Sequence, residues 1–230
     1  MIRAVVFDCD GVLVDSEALS CGAWVPVLAR RGIVATIADI RSFIGKSDRA
    51  VLDHFERLSG MRLGERVAME REEAYFEAAV GVLQAFPGVR DCITQLSQLG
   101  HKLAVASSGS PRKISFNLSQ GGLATLLPLT VSAVDVVHGK PAPDLFLLAS
   151  RRLDCPPSTV LVVEDSVPGL MAARAAGMHA LGFSSSHPTA ELLAAGAEDV
   201  FDDYAQLLPA LERLETPHDG ARSRRTRSLP

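Results

Sequence analysis

Cysteine is scarce in this sequence, and no long apolar run occurs. The four cysteines are scattered through 230 residues without a Cys-x-x-Cys pair, so the chain lacks the pattern of a disulfide framework. No run approaches the roughly 18 apolar residues of a membrane-spanning helix. The first residues include one basic residue and an apolar run too short for a signal sequence. Together these absences predict a cytoplasmic protein in a reducing setting, with no membrane partner.

An excess of positive charge is also lacking. The 23 Lys and Arg residues are outnumbered by 27 Asp and Glu residues, for a net charge of −4, so the chain has no electrostatic footprint for nucleic acid. The six histidines show no metal-ligand spacing, and we assign none of them a catalytic role. With 47% hydrophobic and 22% charged residues, the composition is typical of globular proteins. The length suits one α/β domain with an insert, and we expect a monomer or a weak homo-oligomer.

The N-terminal stretch combines a short apolar run with two acidic residues. Ala4–Phe7 is typical of a buried strand, and Asp8 and Asp10 follow it at alternate positions. Because an unpaired buried charge is very costly, these carboxylates belong at the carboxyl end of the strand, where Gly11 allows a sharp turn. A parallel sheet opens a ligand crevice there, and carboxylates this close favour a bound cation or a shared proton. The alternative is an acidic turn that caps the next helix.

The rest of the chain divides into a helical segment and an alternating α/β segment. Residues 16–82 lack strong strand runs and predict four helices, at Glu17–Arg31, Ile37–Ile44, Arg49–Gly60 and Glu65–Leu83. From residue 83 onward, apolar strands alternate with short helices, which indicates βαβ units and a parallel sheet covered on both faces. We therefore predict a Rossmann-like α/β core, residues 1–15 and 83–214, with an all-helical insert at 16–82. Residues 215–230 are a polar, Arg-rich tail that we expect to be disordered.

Three further loops carry reactive or charged residues near the predicted ends of strands. Ser107–Gly109 is a hydroxyl-rich turn before a helix, and hydroxyl and backbone N–H groups there suit an anionic phosphate. Lys140 lies between a glycine and a proline that stiffens the backbone, and its ammonium can act as a point charge on a phosphate. Glu164 and Asp165 end an apolar strand, and oxygen ligands at a sheet edge suit Mg²⁺. Taken singly, each loop has an alternative interpretation: a capped turn, a surface lysine and a helix-capping acidic pair, respectively.

Taken together, these positions place four acids, a lysine and a serine along one edge of one sheet. The combination resembles the haloacid dehalogenase-like hydrolase superfamily. The resemblance covers the four family motifs in order between Ile2 and Leu214, at Asp8–Glu17, Ser107, Lys140–Asp144, and Glu164–Ser166 with Gly169. The helical insert resembles the C1 cap of phosphoglycolate phosphatases and beta-phosphoglucomutases. The Asp8–Glu17 stretch is most similar to a bacterial subgroup that includes a 6-phosphogluconate phosphatase.

The resemblance implies a reaction through a covalent carboxylate intermediate. Asp8 would be the nucleophile that attacks phosphorus, and Asp10 would protonate the leaving alkoxide and later take a proton from the attacking water. Ser107 and Lys140 would hold the phosphoryl oxygens, because phosphoryl transfer depends on positioning and charge neutralisation. These four residues are the predicted catalytic set, and the predicted partner is a small soluble phosphate ester.

The resemblance also implies Mg²⁺ as the cofactor. Asp8, the main-chain carbonyl of Asp10, and Asp165 would hold the ion. Glu164 would be either a further ligand or a partner behind the ligands. The ion would reduce the repulsion between the anionic phosphate and the Asp8 carboxylate.

Four residues are predicted to bind the substrate. Ser108 and Gly109 belong to the hydroxyl-rich turn, where a phosphate would meet backbone N–H groups. Lys46 and Arg49 lie in a loop of the helical insert that faces the active site in the resembling family. An equal alternative for Lys46 and Arg49 is a pair of surface cations.

The motif residues also separate the candidate activities. Asp10 favours phosphate esters over haloacids, because the true dehalogenases lack an aspartate at this position. The beta-phosphoglucomutases carry a histidine shortly after the first motif, where this chain has Ala18–Gly22 without histidine. We therefore predict a phosphomonoester hydrolase for sugar phosphates, phosphogluconate or phosphoglycolate, closed by the insert on hinges near Val14–Glu17 and Gln84–Gly88. The alternatives are a hexose-phosphate mutase and a non-catalytic phosphate-ligand binding protein on the same fold.

Overall fold

Six parallel strands form one sheet in the structure, a computed structural model that describes residues 1–44 and 46–216. The strands are β1 (Ala4–Phe7), β2 (Lys102–Ser107), β3 (Thr130–Ser132), β4 (Val160–Glu164), β5 (His179–Phe183) and β6 (Asp199–Phe201). Their order is β3-β2-β1-β4-β5-β6, and every neighbouring pair is parallel. The strand order therefore reverses at β1, and open parallel sheets bind ligands at the carboxyl ends of strands at such a point.

Helices cover the sheet and fill the segment between β1 and β2. They are α1 (Glu17–Ala29), α2 (Ile37–Arg41), α3 (Asp48–Ser59), α4 (Gly64–Ala79), α5 (Val89–Gln98), α6 (Pro111–Gln120), α7 (Asp144–Leu153), α8 (Val167–Ala175), α9 (Thr189–Ala195) and α10 (Leu207–Glu215). The two helices nearest the predicted phosphate and metal loops have serine caps: Ser110 accepts a hydrogen bond from a first-turn N–H of α6, and Ser166 does so for α8. Such caps satisfy backbone donors that have no partner within the helix.

Strand β1 is completely buried because helices pack on both faces of the sheet. Val5 and Phe7 belong to one core cluster, which includes residues of α5, α6 and α10. Ala4 and Val6 belong to a second cluster, with residues of α7 and α8. Successive strand side chains point to opposite faces, so a continuous apolar run is what a sheet buried on both faces requires. The predicted Rossmann-like α/β core is confirmed.

The segment between β1 and α5 consists of helices α1 to α4, and its described residues include no strand. These helices share an apolar cluster of their own, which includes Trp24, Phe55 and Val67. Helix α4 also contributes Tyr75 and Phe76 to the cluster on one face of the sheet. The helical insert therefore has a separate core and packs on the sheet through α4 and, at Ala23, through α1.

The chain enters and leaves this helical insert at neighbouring points. Val14 and Ala85 form an antiparallel backbone bridge. The N–H of Asp15 donates to the carbonyl of Gln84 at 3.0 Å. The two segments that we predict as hinges are thus hydrogen-bonded to each other.

Some predicted helix ends are wrong by a few residues. The sequence pattern predicts that the last helix of the insert extends to Leu83, but α4 ends at Ala79. Gly81 adopts a φ of 70°, a conformation that interrupts a right-handed helix. Leu83 is nevertheless buried in the core next to the sheet, so its apolar character reflects packing and not helical structure.

The four cysteines are each buried and free in the described structure. Within residues 1–44 and 46–216, no helix combines the length and the apolar character needed to cross a membrane. The predicted disordered tail, 215–230, lies outside the described residues beyond position 216.

Candidate active site

The carboxyl ends of β1, β2 and β4 bring the predicted catalytic residues together. Asp8, directly after β1, has 7% of its surface exposed. The ammonium Nζ of Lys140 lies 2.6 Å from Asp8 Oδ1, 2.6 Å from Glu164 Oε1 and 3.3 Å from the carbonyl oxygen of Ala106. An ammonium has three hydrogens, and each of them has an acceptor here. The Lys140 side chain is therefore fixed in direction and touches Asp8.

Glu164 uses both of its carboxylate oxygens inside the protein. Oε1 accepts from Lys140, whereas Oε2 accepts from the N–H groups of Asp165 and Ser166 at 3.0 and 2.9 Å and from the Ser166 hydroxyl at 2.8 Å. The carboxylate lies at the start of α8, where the positive end of the helix dipole favours a negative charge. A Cβ built on Gly169 would fall directly on this carboxylate. Glu164 is fully buried behind Lys140.

Asp165 lies beside Asp8 but faces a different set of partners. The Ser186 hydroxyl donates to its Oδ2, and Nδ1 of His187 lies 2.9 Å from its carbonyl oxygen. Gly11, which has a φ of 74°, lies next to this carboxylate, and a Cβ at this position would overlap with Oδ2 of Asp165. The turn after β1 is therefore shaped to make room for Asp165.

The site carries more buried negative charge than its lysine neutralises. Burial, with the nearby carboxylates of Glu164 and Asp10, raises the pKa of Asp8 to about 7 against the opposing effect of Lys140. Burial and the charges of Glu164 and Asp8 likewise raise the pKa of Asp165 well above its usual value. Burial would lower the pKa of Lys140, but Asp8 and Glu164 raise it above its usual value. This surplus of buried carboxylates is the environment that a bound cation stabilises.

The carboxylate ligands at this site fit Mg²⁺ better than a metal whose ligands all come from the protein. Among the described residues, no group of three or more His, Cys, Asp or Glu side chains is arranged to hold a metal ion. Mg²⁺ is usually held by one or two carboxylates and completes its shell with water and phosphate oxygens. Asp8 and Asp165 are two buried carboxylates that line the same cavity.

The loop after β2 forms the predicted phosphate-binding turn. Ser107 is buried, and its hydroxyl oxygen accepts a hydrogen bond from the N–H of Gly109 at 3.2 Å. The carbonyl of Gly109 accepts in turn from the Ser132 hydroxyl at 2.6 Å. Ser107, Ser108 and Gly109 line the same cavity as Asp8 and the Lys140 side chain. The turn is thus held open toward the nucleophile, next to the N-terminus of α6.

Asp10 is held through a single oxygen. Its Oδ1 accepts from the Ser16 hydroxyl at 2.5 Å and the Asn117 amide at 3.1 Å, and Nζ of Lys113 lies at 2.9 Å. Burial alone would raise the pKa of Asp10, but the Lys113 charge and the hydrogen bonds bring it below its usual value. Asp10 also lines the cavity.

A cavity of about 350 Å³ extends from these residues to the helical insert. The insert contributes an apolar wall, formed by Cys21, Trp24, Ile40, Phe43, Ile44 and Val51. A pocket with an apolar wall and a few converging polar groups is typical of small-molecule sites.

The structure places Lys46 and Arg49 on the cavity wall, but both have local partners. Nζ of Lys46 lies 3.2 Å from the carbonyl oxygen of Ser42. The Arg49 guanidinium pairs with Asp53 and, at 3.1 Å, with Glu56. Two carboxylates therefore balance the charge of Arg49 without any substrate.

Arg71 of α4 was not among the predicted site residues, although it lines the cavity. It is only 4% exposed, and its guanidinium donates to the carbonyl of Ser20 at 3.2 Å and packs over the rings of Trp24 and Tyr75. Its Nε is the one buried side-chain nitrogen or oxygen without a hydrogen-bond partner in the part of the chain that the structure describes. Nη1 of Arg71 lies 3.7 Å from Asp48 Oδ2, so one carboxylate is within ion-pair distance of this cation.

The sequence did contain a signal for Arg71. Val67, Arg71, Tyr75 and Ala79 are spaced four residues apart and are all buried on one face of α4. An arginine inside such an apolar stripe requires a partner or a function, because a buried charge without one is costly.

A family model described as haloacid dehalogenase-like hydrolase matches residues 2–177. The chain belongs to this family. Validoxylamine A 7'-phosphate phosphatase from Streptomyces hygroscopicus subsp. limoneus is 32% identical over 96% of this chain and 99% of its own length. The crystal structure of a hydrolase from Pseudomonas syringae is 29% identical, with a TM-score of 0.82 over 93% of this chain and 100% of that one.

One similar protein is much longer than this chain. Protein SUPPRESSOR OF QUENCHING 1, chloroplastic, from Arabidopsis thaliana is 34% identical over 90% of this chain, but the match covers 20% of that protein. The family match and the phosphatase relative confirm the predicted family and the predicted enzyme class, a phosphatase of the haloacid dehalogenase-like type.

Proposed function

We propose that this chain is a Mg²⁺-dependent phosphomonoester hydrolase that acts through an aspartyl-phosphate intermediate. The observation that carries the proposal is the contact of 2.6 Å between Lys140 Nζ and Asp8 Oδ1 at the carboxyl end of β1. A lysine held against a carboxylate in this way orients it and offsets its charge as an anionic phosphate approaches. Asp10 and Ser107 line the same cavity, which supports a common role in phosphoryl transfer.

In the first step, a carboxylate oxygen of Asp8 forms a bond to phosphorus while the bond from phosphorus to the leaving oxygen breaks. The negative charge of the bound phosphate raises the pKa of Asp10, so that Asp10 carries a proton and gives it to that oxygen. Lys140 and the N–H groups near Ser107 hold the phosphoryl oxygens. In the second step, Asp10 takes a proton from water, whose oxygen attacks phosphorus and releases phosphate and Asp8.

Asp8, Asp165 and the main-chain carbonyl of Asp10 are the groups that would hold Mg²⁺. When bound, the ion supplies positive charge that stabilises the phosphoryl oxygens. The contacts of Glu164 support a place behind the ligands, because Lys140 and the start of α8 already occupy its two oxygens.

The substrate would be a small organic phosphate of the sugar phosphate, phosphogluconate or phosphoglycolate type. A cavity of about 350 Å³ with an apolar wall favours the larger members of this group over phosphoglycolate. The Arg71 guanidinium on the wall of the cavity supports a second polar or anionic group on that substrate. The validoxylamine A 7'-phosphate phosphatase is named for a substrate of this general kind, a phosphorylated organic molecule.

The domain division and the location are part of this proposal. Residues 16–82 would be the cap, and residues 1–15 and 83–214 the core. The separate apolar cluster of α1 to α4 supports this division. The four free cysteines support a reducing, cytoplasmic setting.

The experiment that tests the proposal measures phosphate release from a panel of sugar phosphates, phosphogluconate and phosphoglycolate. Wild type and Asp8→Asn are compared with Mg²⁺ and after its removal with EDTA. We expect release that requires Mg²⁺ and falls by at least about a thousandfold in the variant, because the nucleophile is lost. Equal rates for both proteins would refute the role of Asp8.

Two other results would favour a different function for this protein. Interconversion of hexose phosphates without phosphate release would favour the mutase. Tight binding of a phosphate ester without turnover would favour a binding protein.

A further inference from the structure

Each of the two catalytic carboxylates has its own buried lysine. Nζ of Lys140 lies 2.6 Å from Asp8 Oδ1. Nζ of Lys113, in α6, lies 2.9 Å from Asp10 Oδ1. The Lys113 side chain is 7% exposed. No motif of the sequence analysis includes Lys113, and the proposed mechanism gives it no task.

Among the described residues, Asp10 is the one carboxylate within ion-pair distance of Lys113. Its Nζ also lies 3.5 Å from the Ser20 hydroxyl and 4.8 Å from the centroid of the Tyr75 ring. A buried ammonium with one carboxylate partner is strongly coupled to it, because removing either partner leaves an uncompensated buried charge. Lys113 therefore acts on the site chiefly through Asp10.

Asn117, one helical turn after Lys113, binds the same oxygen of Asp10. The Tyr75 hydroxyl donates to Asn117 Oδ1 at 2.7 Å, so the amide nitrogen of Asn117 is the end that faces Asp10. Positions i and i+4 share one face of a helix, which explains how α6 presents both donors to a single carboxylate oxygen.

The second oxygen of Asp10 faces the phosphate-binding turn. A Cβ built on Gly109 would lie 3.7 Å from Asp10 Oδ2. The two oxygens of Asp10 therefore differ: Oδ1 is held by donors within the protein, whereas Oδ2 lies near Gly109 in the phosphate-binding turn.

We propose that Lys113, assisted by Asn117, is a positioning residue that holds Oδ1 of Asp10 so that Oδ2 is directed at the leaving oxygen of the substrate. The inference rests on the proposed function, since it assigns Lys113 a task within that reaction. In the step concerned, the bond from phosphorus to the leaving oxygen breaks, the bond to Asp8 forms, and the Asp10 proton moves to the leaving oxygen. A misdirected Asp10 slows this step most when the leaving group most needs a proton.

The test compares phenyl phosphate with p-nitrophenyl phosphate, whose phenolate leaves far more readily without a proton. Release of the phenol is followed in a single turnover with excess enzyme and Mg²⁺, so that only formation of the aspartyl-phosphate is measured. For Lys113→Met we expect a loss of about 10–100-fold on phenyl phosphate and less than about threefold on p-nitrophenyl phosphate. Lys113→Arg should recover most of the rate, because it keeps a cation near Asp10.

Three further variants make the result decisive. Arg151→Met removes an exposed cation from α7 and should leave both rates unchanged. Asn117→Ser should show the same leaving-group dependence as Lys113→Met, to a smaller extent, and serves if Lys113→Met does not fold. Asp10→Asn should show the strongest dependence.

The outcomes distinguish the positioning role of Lys113 from the acid role of Asp10. Equal losses on both substrates in Lys113→Met and in Asn117→Ser, with a strong leaving-group dependence in Asp10→Asn, would overturn the positioning role alone. The absence of that dependence in Asp10→Asn would overturn the acid role of Asp10, and with it the proposed mechanism.

Discussion

The carboxylate of Glu164 lies in the space that a side chain on Gly169 would occupy. Glycine at this position lets the carboxylate sit against the first turn of α8 and still reach Lys140 at 2.6 Å. The family motif that includes Gly169 therefore has a steric basis in this chain: the glycine makes room for the residue that holds the lysine.

Gly169→Ala should displace Glu164 and uncouple it from Lys140. Breaking a buried ion pair costs about 3 kcal/mol, which corresponds to a fall in Tm of roughly 6–12 °C for a protein of this size. Gly22→Ala in α1 is the matched control, because a Cβ there meets nothing within 4 Å. Thermal unfolding should show a large fall for the first variant and no fall for the second. A similar Tm for both variants would contradict the steric argument.

Glu164→Gln distinguishes a metal ligand from a partner of Lys140. The amide keeps the shape of the side chain but loses the charge that holds the ammonium. If Glu164 acts through Lys140, kcat should fall by about tenfold or more while the affinity for Mg²⁺ changes by less than about threefold. Isothermal titration with Mg²⁺ measures the affinity separately from turnover. A loss of Mg²⁺ affinity of about 10–100-fold would identify Glu164 as important for the metal itself.

The raised pKa of Asp8 makes the stability of the metal-free protein depend on pH. The pKa of Asp8 is about 7 in the folded protein against an ordinary value of 3.8, so the folded state binds more protons than the unfolded state between these values. The free energy of unfolding should therefore fall as the pH rises toward 7 and slightly above.

Asp8→Asn lacks this titration and should be more stable than wild type at pH 8. In EDTA, we expect the difference in Tm between variant and wild type to be larger at pH 8 than at pH 5 by at least roughly 2–4 °C, the equivalent of about 1 kcal/mol. Thermal unfolding at the two pH values measures this difference. An equal difference at both pH values would show that Asp8 does not titrate in this range.

Arg71→Met and Arg49→Met test which cation of the insert binds the substrate. Arg71 lines the cavity and has one carboxylate, that of Asp48, at 3.7 Å, whereas Asp53 and Glu56 both hold Arg49. Loss of a charge-assisted hydrogen bond costs about 1.5–3 kcal/mol. For the best substrate of the panel, KM should rise by about 10–100-fold in Arg71→Met and by less than about threefold in Arg49→Met. p-Nitrophenyl phosphate, which has no second anionic group, is the control substrate, and the reverse order of effects would favour Arg49.

The core of the fold could be predicted because its strands are short apolar runs that end in chemically distinctive residues. Strand β1 has the predicted bounds, Ala4–Phe7, since burial on both faces requires continuous apolar sequence. Helix ends such as that of α4 were less accurate. Leu83 is apolar because it packs on the sheet, and periodicity does not distinguish this from helical burial.

The residues that enclose the cavity from the insert were harder to predict for a different reason. Asp8, Lys140 and Asp165 follow apolar strands, and the topology of a parallel sheet brings such positions together. Arg71 and Lys113 lie inside helices. They reach the site because α4 and α6 pack near the loop after β1, which carries Asp10. Sequence spacing places a residue on a helix face, but only the packing of the helices decides what that face touches.

The bridge between Val14 and Ala85 means that the helical insert begins and ends at almost the same point in space. We therefore expect a replacement of the insert to preserve the register of the sheet and the positions of Asp8 and Lys140. A chimaera that carries the insert of a related phosphatase between these two residues is geometrically simple to build. In such a chimaera, substrate choice and bond-breaking chemistry can be inherited from different parents.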